Sequence, residues 1–105
     1  MSTLYSSILG KIELTAERKD HIAIAHPEIK LYLKKLSRIL STPDEIRISR
    51  LDESVLLFYK FFANIKHGKY ISVAVKTGDR NFVLTAYITD RIRIGKKYET
   101  EKKYS

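Results

Sequence analysis

An α+β fold, two helices packed on a four-stranded antiparallel meander, is what the sequence predicts. Three observations carry that expectation. Apolar residues keep a helical spacing as far as Leu40. Beyond Pro43 the period changes from 3.6 to 2. The apolar runs that follow are separated by short segments rich in turn-forming residues, which leaves room only for hairpin connections.

Residues 1–7 read as loose, and Ile8 to Leu14 as a short edge strand with imperfect alternation. Thr15 suits the N-cap of a first helix, with Glu17 in the first turn where the helix dipole favours a carboxylate. That helix should run to about Ala25, because the residue before Pro27 is pushed out of helical geometry. A second helix is expected to start near Pro27, with Glu28 beside it and Ile29, Leu33, Leu36 and Leu40 on one face. Ser41-Thr42-Pro43-Asp44 ends it.

Strands are expected at about Glu45–Arg50, Val55–Phe62, Lys69–Thr77 and Asn81–Thr89. The breaks are Asp52-Glu53-Ser54, Asn64 to Gly68, and Gly78-Asp79-Arg80. Arg91 to Gly95 is expected to add a half-strand. Residues 1–95 then form a single domain, and Lys96 to Ser105, charged and with little to bury, a mobile tail.

Composition narrows the function classes. The chain has 105 residues and no cysteine, which excludes a disulfide framework, a thiolate nucleophile and a cysteine-ligated zinc. The N-terminus lacks a basic segment before an apolar run, and no apolar run approaches the roughly 18 residues of a membrane span. A cytoplasmic protein without membrane contact is expected. The formal net charge of +8 favours a polyanionic partner, because counterion release drives association with nucleic acid.

Alternation sorts the strands into an apolar face under the helices and a polar face gathering Arg47, Ser49, Lys60, Lys76, Thr85, Tyr87 and Thr89. A one-residue slip of register exchanges Tyr59 for Lys60 on that face. In the last strand Phe82, Leu84, Ala86 and Ile88 are expected to oppose Val83, Thr85, Tyr87 and Thr89. A basic, aromatic sheet face suits RNA: lysines follow phosphates and tyrosine stacks on an unpaired base.

Cleavage of RNA by its own 2′-hydroxyl needs a base, an acid and positive charge on the phosphorane oxygens. Histidine, with an unperturbed pKa of about 6.5, serves either proton role near neutral pH. His21 and His26 diverge by about 140° on one helix at ~100° per residue. Pro27 lets His26 fall in the break, so His26 is the expected site residue and His21 its support or a surface group. His67 belongs to an exposed loop. Lys76, Arg47 or Arg50 would stabilise charge, and Thr85 and Tyr87 would hold phosphate and base. HxxxH and HExxH are both missing, and the glycine-rich phosphate loops are missing too. No metal and no cofactor is expected.

Leu14-Thr15-Ala-Glu-Arg-Lys-Asp-His-Ile22, His26-Pro27-Glu28, Thr42-Pro43-Asp44-Glu45-Ile46, Leu57-Phe58-Tyr59, Val73-Ala-Val-Lys76 and Val83-Leu-Thr-Ala-Tyr87 follow in that order. The series resembles the phage-associated branch of the barnase–EndoU–colicin–RelE (BECR) nuclease superfamily, over about Lys11 to Gly95. The resemblance implies helices followed by a four-stranded meander and a metal-independent ribonuclease, often a toxin restrained by an antitoxin or immunity protein. It carries His26, Lys76, Thr85 and Tyr87 over as site residues.

The resulting expectation is an endoribonuclease acting on mRNA or tRNA, with an acidic antitoxin as possible partner. Its catalytic set would be His26, Lys76, Thr85, Tyr87 and Arg47. Nucleic-acid contacts would come from His21, Arg50, Tyr59, Lys60 and Thr89. The alternatives are a non-catalytic RNA-binding module and a basic protein that docks an acidic partner.

Overall fold

The computed structural model describes residues 2–92 and 96–97. Its strands are β1 (Ser2–Ser6), β2 (Gly10–Leu14), β3 (Glu45–Ile48), β4 (Val55–Phe62), β5 (Lys69–Lys76), β6 (Phe82–Thr89) and β7 (Lys96–Lys97). Between β2 and β3 lie helix α1 (Ala16–Ala25), a 3₁₀ helix (Pro27–Lys35) and helix α2 (Leu36–Ser41). The strands form one sheet in the order β1-β2-β6-β5-β4-β3-β7.

The fold is α+β. Its centre is the expected meander, with β3, β4, β5 and β6 pairing antiparallel in succession. The sheet is larger than expected at both ends. At one end, the residues read as loose form β1, whose Leu4 packs on the core while Thr3 and Tyr5 face outward. β2 is therefore not the edge strand. A short loop closes this hairpin: the Ser6 Oγ accepts from the backbone N–H of Ile8 and Leu9, both at 3.2 Å, and Gly10 adopts φ +75°. A left-handed residue at the end of such a loop favours glycine.

The hairpin joins the meander by a single parallel pair, Glu13↔Phe82. Side chains reinforce it. Arg80 donates to both oxygens of Glu13 at 2.9 and 3.0 Å, and the Asn81 amide donates to the carbonyls of Leu9 and Lys11 at 3.3 and 3.4 Å. At the other end of the sheet, Lys96 and Lys97 pair with Ile48 and Arg47. Those two residues are strand rather than tail. Arg93 to Gly95 and Tyr98 to Ser105, the rest of the expected half-strand and tail, lie outside the described residues.

Thr15 caps α1 as expected, its side chain accepting from the Arg18 N–H at 3.0 Å. Ile22 is the one buried residue of this helix. The second helix departs from expectation, because its first nine residues are 3₁₀ and only Leu36–Ser41 is α-helical. Ile29, Tyr32, Leu33 and Leu36 satisfy both i+3 and i+4 spacings, so apolar periodicity alone does not separate the two geometries. The core closes Ile22, Ile29, Leu36, Ile39 and Leu40 over Leu56, Phe58, Ile71, Val73, Val75, Val83 and Ala86. No helix among the described residues is long and apolar enough to cross a membrane.

Register also settles the faces. The helix-covered face carries Leu56, Phe58, Lys60 and Phe62 of β4 opposite Val75, Val73, Ile71 and Lys69 of β5. Lys60 therefore belongs to the helix side, where its Nζ reaches out to the Thr42 carbonyl at 2.7 Å. The expected placement of Lys60 on the polar face is corrected, and Tyr59 takes that face instead. On β6 an irregularity at the Ala74/Val75 step pairs Ala74 with Thr85 but Val75 with Val83. Leu84 is the extra residue of this bulge, and before it the phase inverts. Val83 enters the core and Phe82 turns to the polar face, the reverse of simple alternation.

Candidate functional site

The polar face is a grid fixed by cross-strand pairs. One row runs Tyr87 (β6), Ser72 (β5), Tyr59 (β4), Glu45 (β3); the next runs Thr85, Ala74, Leu57, Arg47. Thr89, Tyr70 and Phe61 lie beyond the first row, and Phe82, Lys76 and Val55 beyond the second. Five expected residues, Arg47, Lys76, Thr85, Tyr87 and Thr89, thus share a face with Tyr59. The face is more aromatic than charged. Tyr70 meets Phe61 and Tyr59 edge-on at ring-centroid distances of 5.3 and 6.3 Å. Tyr59 and Ser72 are fully buried, which corrects the expected contact of Tyr59 with nucleic acid: its ring is covered by the fold.

His26 occupies the break between α1 and the 3₁₀ helix. Its N–H donates to the Ile22 carbonyl at 2.8 Å and its carbonyl accepts from the Ile29 N–H at 3.0 Å, so the backbone is held on both sides. Among the described residues β2 pairs with β6 only at Phe82. Past that point α1 packs against β6, and the imidazole meets the Tyr87 ring at a centroid distance of 5.5 Å with planes inclined by 34°. The His26 Nδ1 lies 3.8 Å from a Glu28 oxygen, and the imidazole is about one-third exposed. At that distance the carboxylate lies beside the ring and beyond hydrogen-bond reach.

The remaining expected residues do not converge on this pair. Lys76 lies four residues along β5 from Ser72, roughly 13 Å at strand rise. Its Nζ is held by Asp52 at 2.7 Å. Arg47 lies three strands from Thr85, roughly 14 Å across the sheet, and forms an ion pair with Glu45. His21 is exposed on α1. Arg50 lines a cleft of about 420 Å³ with Ile48, Ser49 and Glu53, beside the β3–β4 turn.

Three residues of this region escape sequence reasoning. Glu28 reads as a first-turn acid, yet it sits against His26. Ser72 reads as a small strand residue. Its buried hydroxyl finds no hydrogen-bond partner among the described residues, a costly arrangement in a protein interior. Asp52 reads as a turn residue, yet it fixes the β3–β4 turn. Its carboxylate accepts from Lys76, from the Ser54 hydroxyl at 2.6 Å and from the Ser54 N–H at 2.9 Å.

The Lys76 ammonium and these Ser54 bonds hold the Asp52 carboxyl well below the usual carboxylate range. Lys69 lowers that of Asp90 in the same direction. A depressed folded-state pKa stabilises the fold above the unfolded value, about 3.9 for Asp, and that contribution disappears as pH falls toward the folded value. Thermal melts should therefore decline below about pH 4, and an Asp52→Asn variant should show a shallower decline. Identical profiles for the two proteins would remove the Asp52–Lys76 clamp as a source of acid sensitivity.

No group of three His, Cys, Asp or Glu among the described residues is arranged to hold a metal ion. Compared with known families, with curated proteins and with solved structures, the chain finds no match.

Proposed function

We propose that this chain is a small endoribonuclease that cuts RNA by attack of the 2′-hydroxyl on the adjacent phosphate. The observation that carries the reading is the His26–Tyr87 pair, a partly exposed imidazole against a tyrosine ring at the rim of a hydroxyl-bearing sheet face. In this reading His26 exchanges protons with the 2′-hydroxyl or the 5′ leaving oxygen. Tyr87 stacks on or hydrogen-bonds the scissile nucleotide, and Thr85, next on the same face, holds the phosphate.

Lys76 and Arg47 lie too far from His26 to touch the same phosphate. Each is held by a carboxylate, Asp52 or Glu45, that a neighbouring phosphate of an extended strand would have to displace. The resemblance to BECR nucleases points the same way and adds a toxin role with an acidic antitoxin. The test is total RNA incubated with purified protein in EDTA. New 2′,3′-cyclic phosphate and 5′-hydroxyl ends are expected, and intact RNA from about pH 5 to 9 would end the proposal, histidine being the group that titrates in that range.

A second reading, RNA binding without cleavage, draws on the net charge of +8 and on Lys76 and Arg47 being held in ion pairs away from His26. It predicts salt-dependent RNA binding that His26→Ala leaves unchanged.

A further inference from the structure

A cleft of about 440 Å³ opens at the end of β6, lined by Glu28, Lys66, Lys69, Ile88, Thr89 and Asp90. It adjoins the His26–Tyr87 pair. Glu28 reaches both the cleft and the His26 imidazole. Thr89 follows Tyr87 by two residues on the same face of β6, roughly 7 Å at strand rise.

The β4–β5 turn that supplies Lys66 is backbone-strained. Lys66 and His67 both adopt left-handed conformations, φ +42° and +68°, ahead of Gly68 at +112°. Non-glycine residues pay a steric penalty in this region, and such strain concentrates where a loop must present particular groups. A Cβ on Gly68 would stand 2.7 Å from the Phe61 ring, so the turn is packed tightly on the aromatic end of the polar face.

Two of the lining charges, Lys69 and Asp90, form an ion pair with each other, and the Lys66 ammonium and the Glu28 carboxylate are the other two. A bare phosphate satisfies only that ammonium, and an amine only that carboxylate. A nucleotide satisfies both: its phosphate takes Lys66, and an exocyclic amino group on its base donates to Glu28. The cleft volume falls in the range of small-molecule sites. We propose that this cleft is a nucleotide subsite that accepts the RNA residue next to the one at His26 and favours bases bearing an amino group. The inference rests on the RNA reading for its ligand class, but it concerns binding and not cleavage.

The test is titration of the ¹⁵N-labelled full chain with AMP, CMP, UMP and inorganic phosphate. AMP and CMP should shift the amides of Lys66, Lys69, Thr89 and Asp90 and bind several-fold tighter than UMP. Lys66→Gly removes one ammonium while relieving the left-handed strain, so the fold is retained, and affinity for every nucleotide should fall about tenfold, in line with a lost charged contact. Glu28→Gln should erase the advantage over UMP.

Equal affinities for UMP and AMP, phosphate binding as well as any nucleotide, or shifts confined to other surfaces would each overturn the subsite. Nucleotide binding here by a protein that leaves RNA intact upholds the subsite and defeats the ribonuclease reading. Cleavage of RNA without nucleotide binding here does the reverse.

Discussion

Replacing His26 by alanine is expected to lower RNA cleavage by 10²- to 10⁴-fold, on the order of what a positioned general acid or base contributes. The expectation follows from three features of the residue. Its backbone bonds to Ile22 and Ile29 do not involve the imidazole, so the helix break survives truncation. The side chain is about one-third exposed, and its removal leaves no closed cavity. Its neighbours Tyr87 and Glu28 place an aromatic ring and an acid beside the imidazole. Melting temperature should therefore hardly move while turnover collapses. His21→Ala, on the exposed side of α1, should cut at the wild-type rate. Full activity in the His26 variant, or equal losses in both variants, would assign proton transfer to some other group.

The meander and the position of His26 were legible because each depends on local rules. β4 lies where its period-2 pattern predicts, and α1 starts at its Thr15 cap and ends before Pro27. What escaped depends on contacts distant in sequence. β1 is short and mostly polar, and it becomes a strand because Leu4 finds the core and β2 completes the hairpin. The Leu84 bulge reverses Phe82 and Val83, and no residue pattern announces it. Lys60 was misplaced because its neighbours alternate correctly in either register, and only the pairing with Ile71 decides.

The separation of Lys76 from His26 has a similar origin. Both read as site residues, but one ends β5 while the other sits opposite Tyr87, near the far end of β6. Both strands are legible to within a residue at their ends, yet the distance between the two groups depends on which way each strand runs under the helices.

The largest loss of stability among substitutions near the site should come from Ile22→Ala. Ile22 is fully buried and is the one buried residue of α1, whose other side chains are polar, small or exposed. A helix of 10 residues is marginal in isolation, so its place on β6 depends on tertiary packing. Removing a buried isoleucine to alanine costs about 2–5 kcal/mol, against a total stability of about 5–15 kcal/mol for a domain. For a chain of this length that corresponds to a fall in Tm of roughly 10–20 °C or more. The effect should reach the site, because the Ile22 carbonyl accepts the His26 N–H that fixes the helix break. Below its melting range the variant should therefore cut RNA more slowly than its folded fraction predicts. Ile24→Ala two residues on, with Ile24 80% exposed, should match the wild type in both measurements. If Ile22→Ala melted within about 1 °C of wild type, far inside the loss expected for a core isoleucine, α1 would have some other anchor, and the rigid placement of His26 against Tyr87 would lose its physical basis.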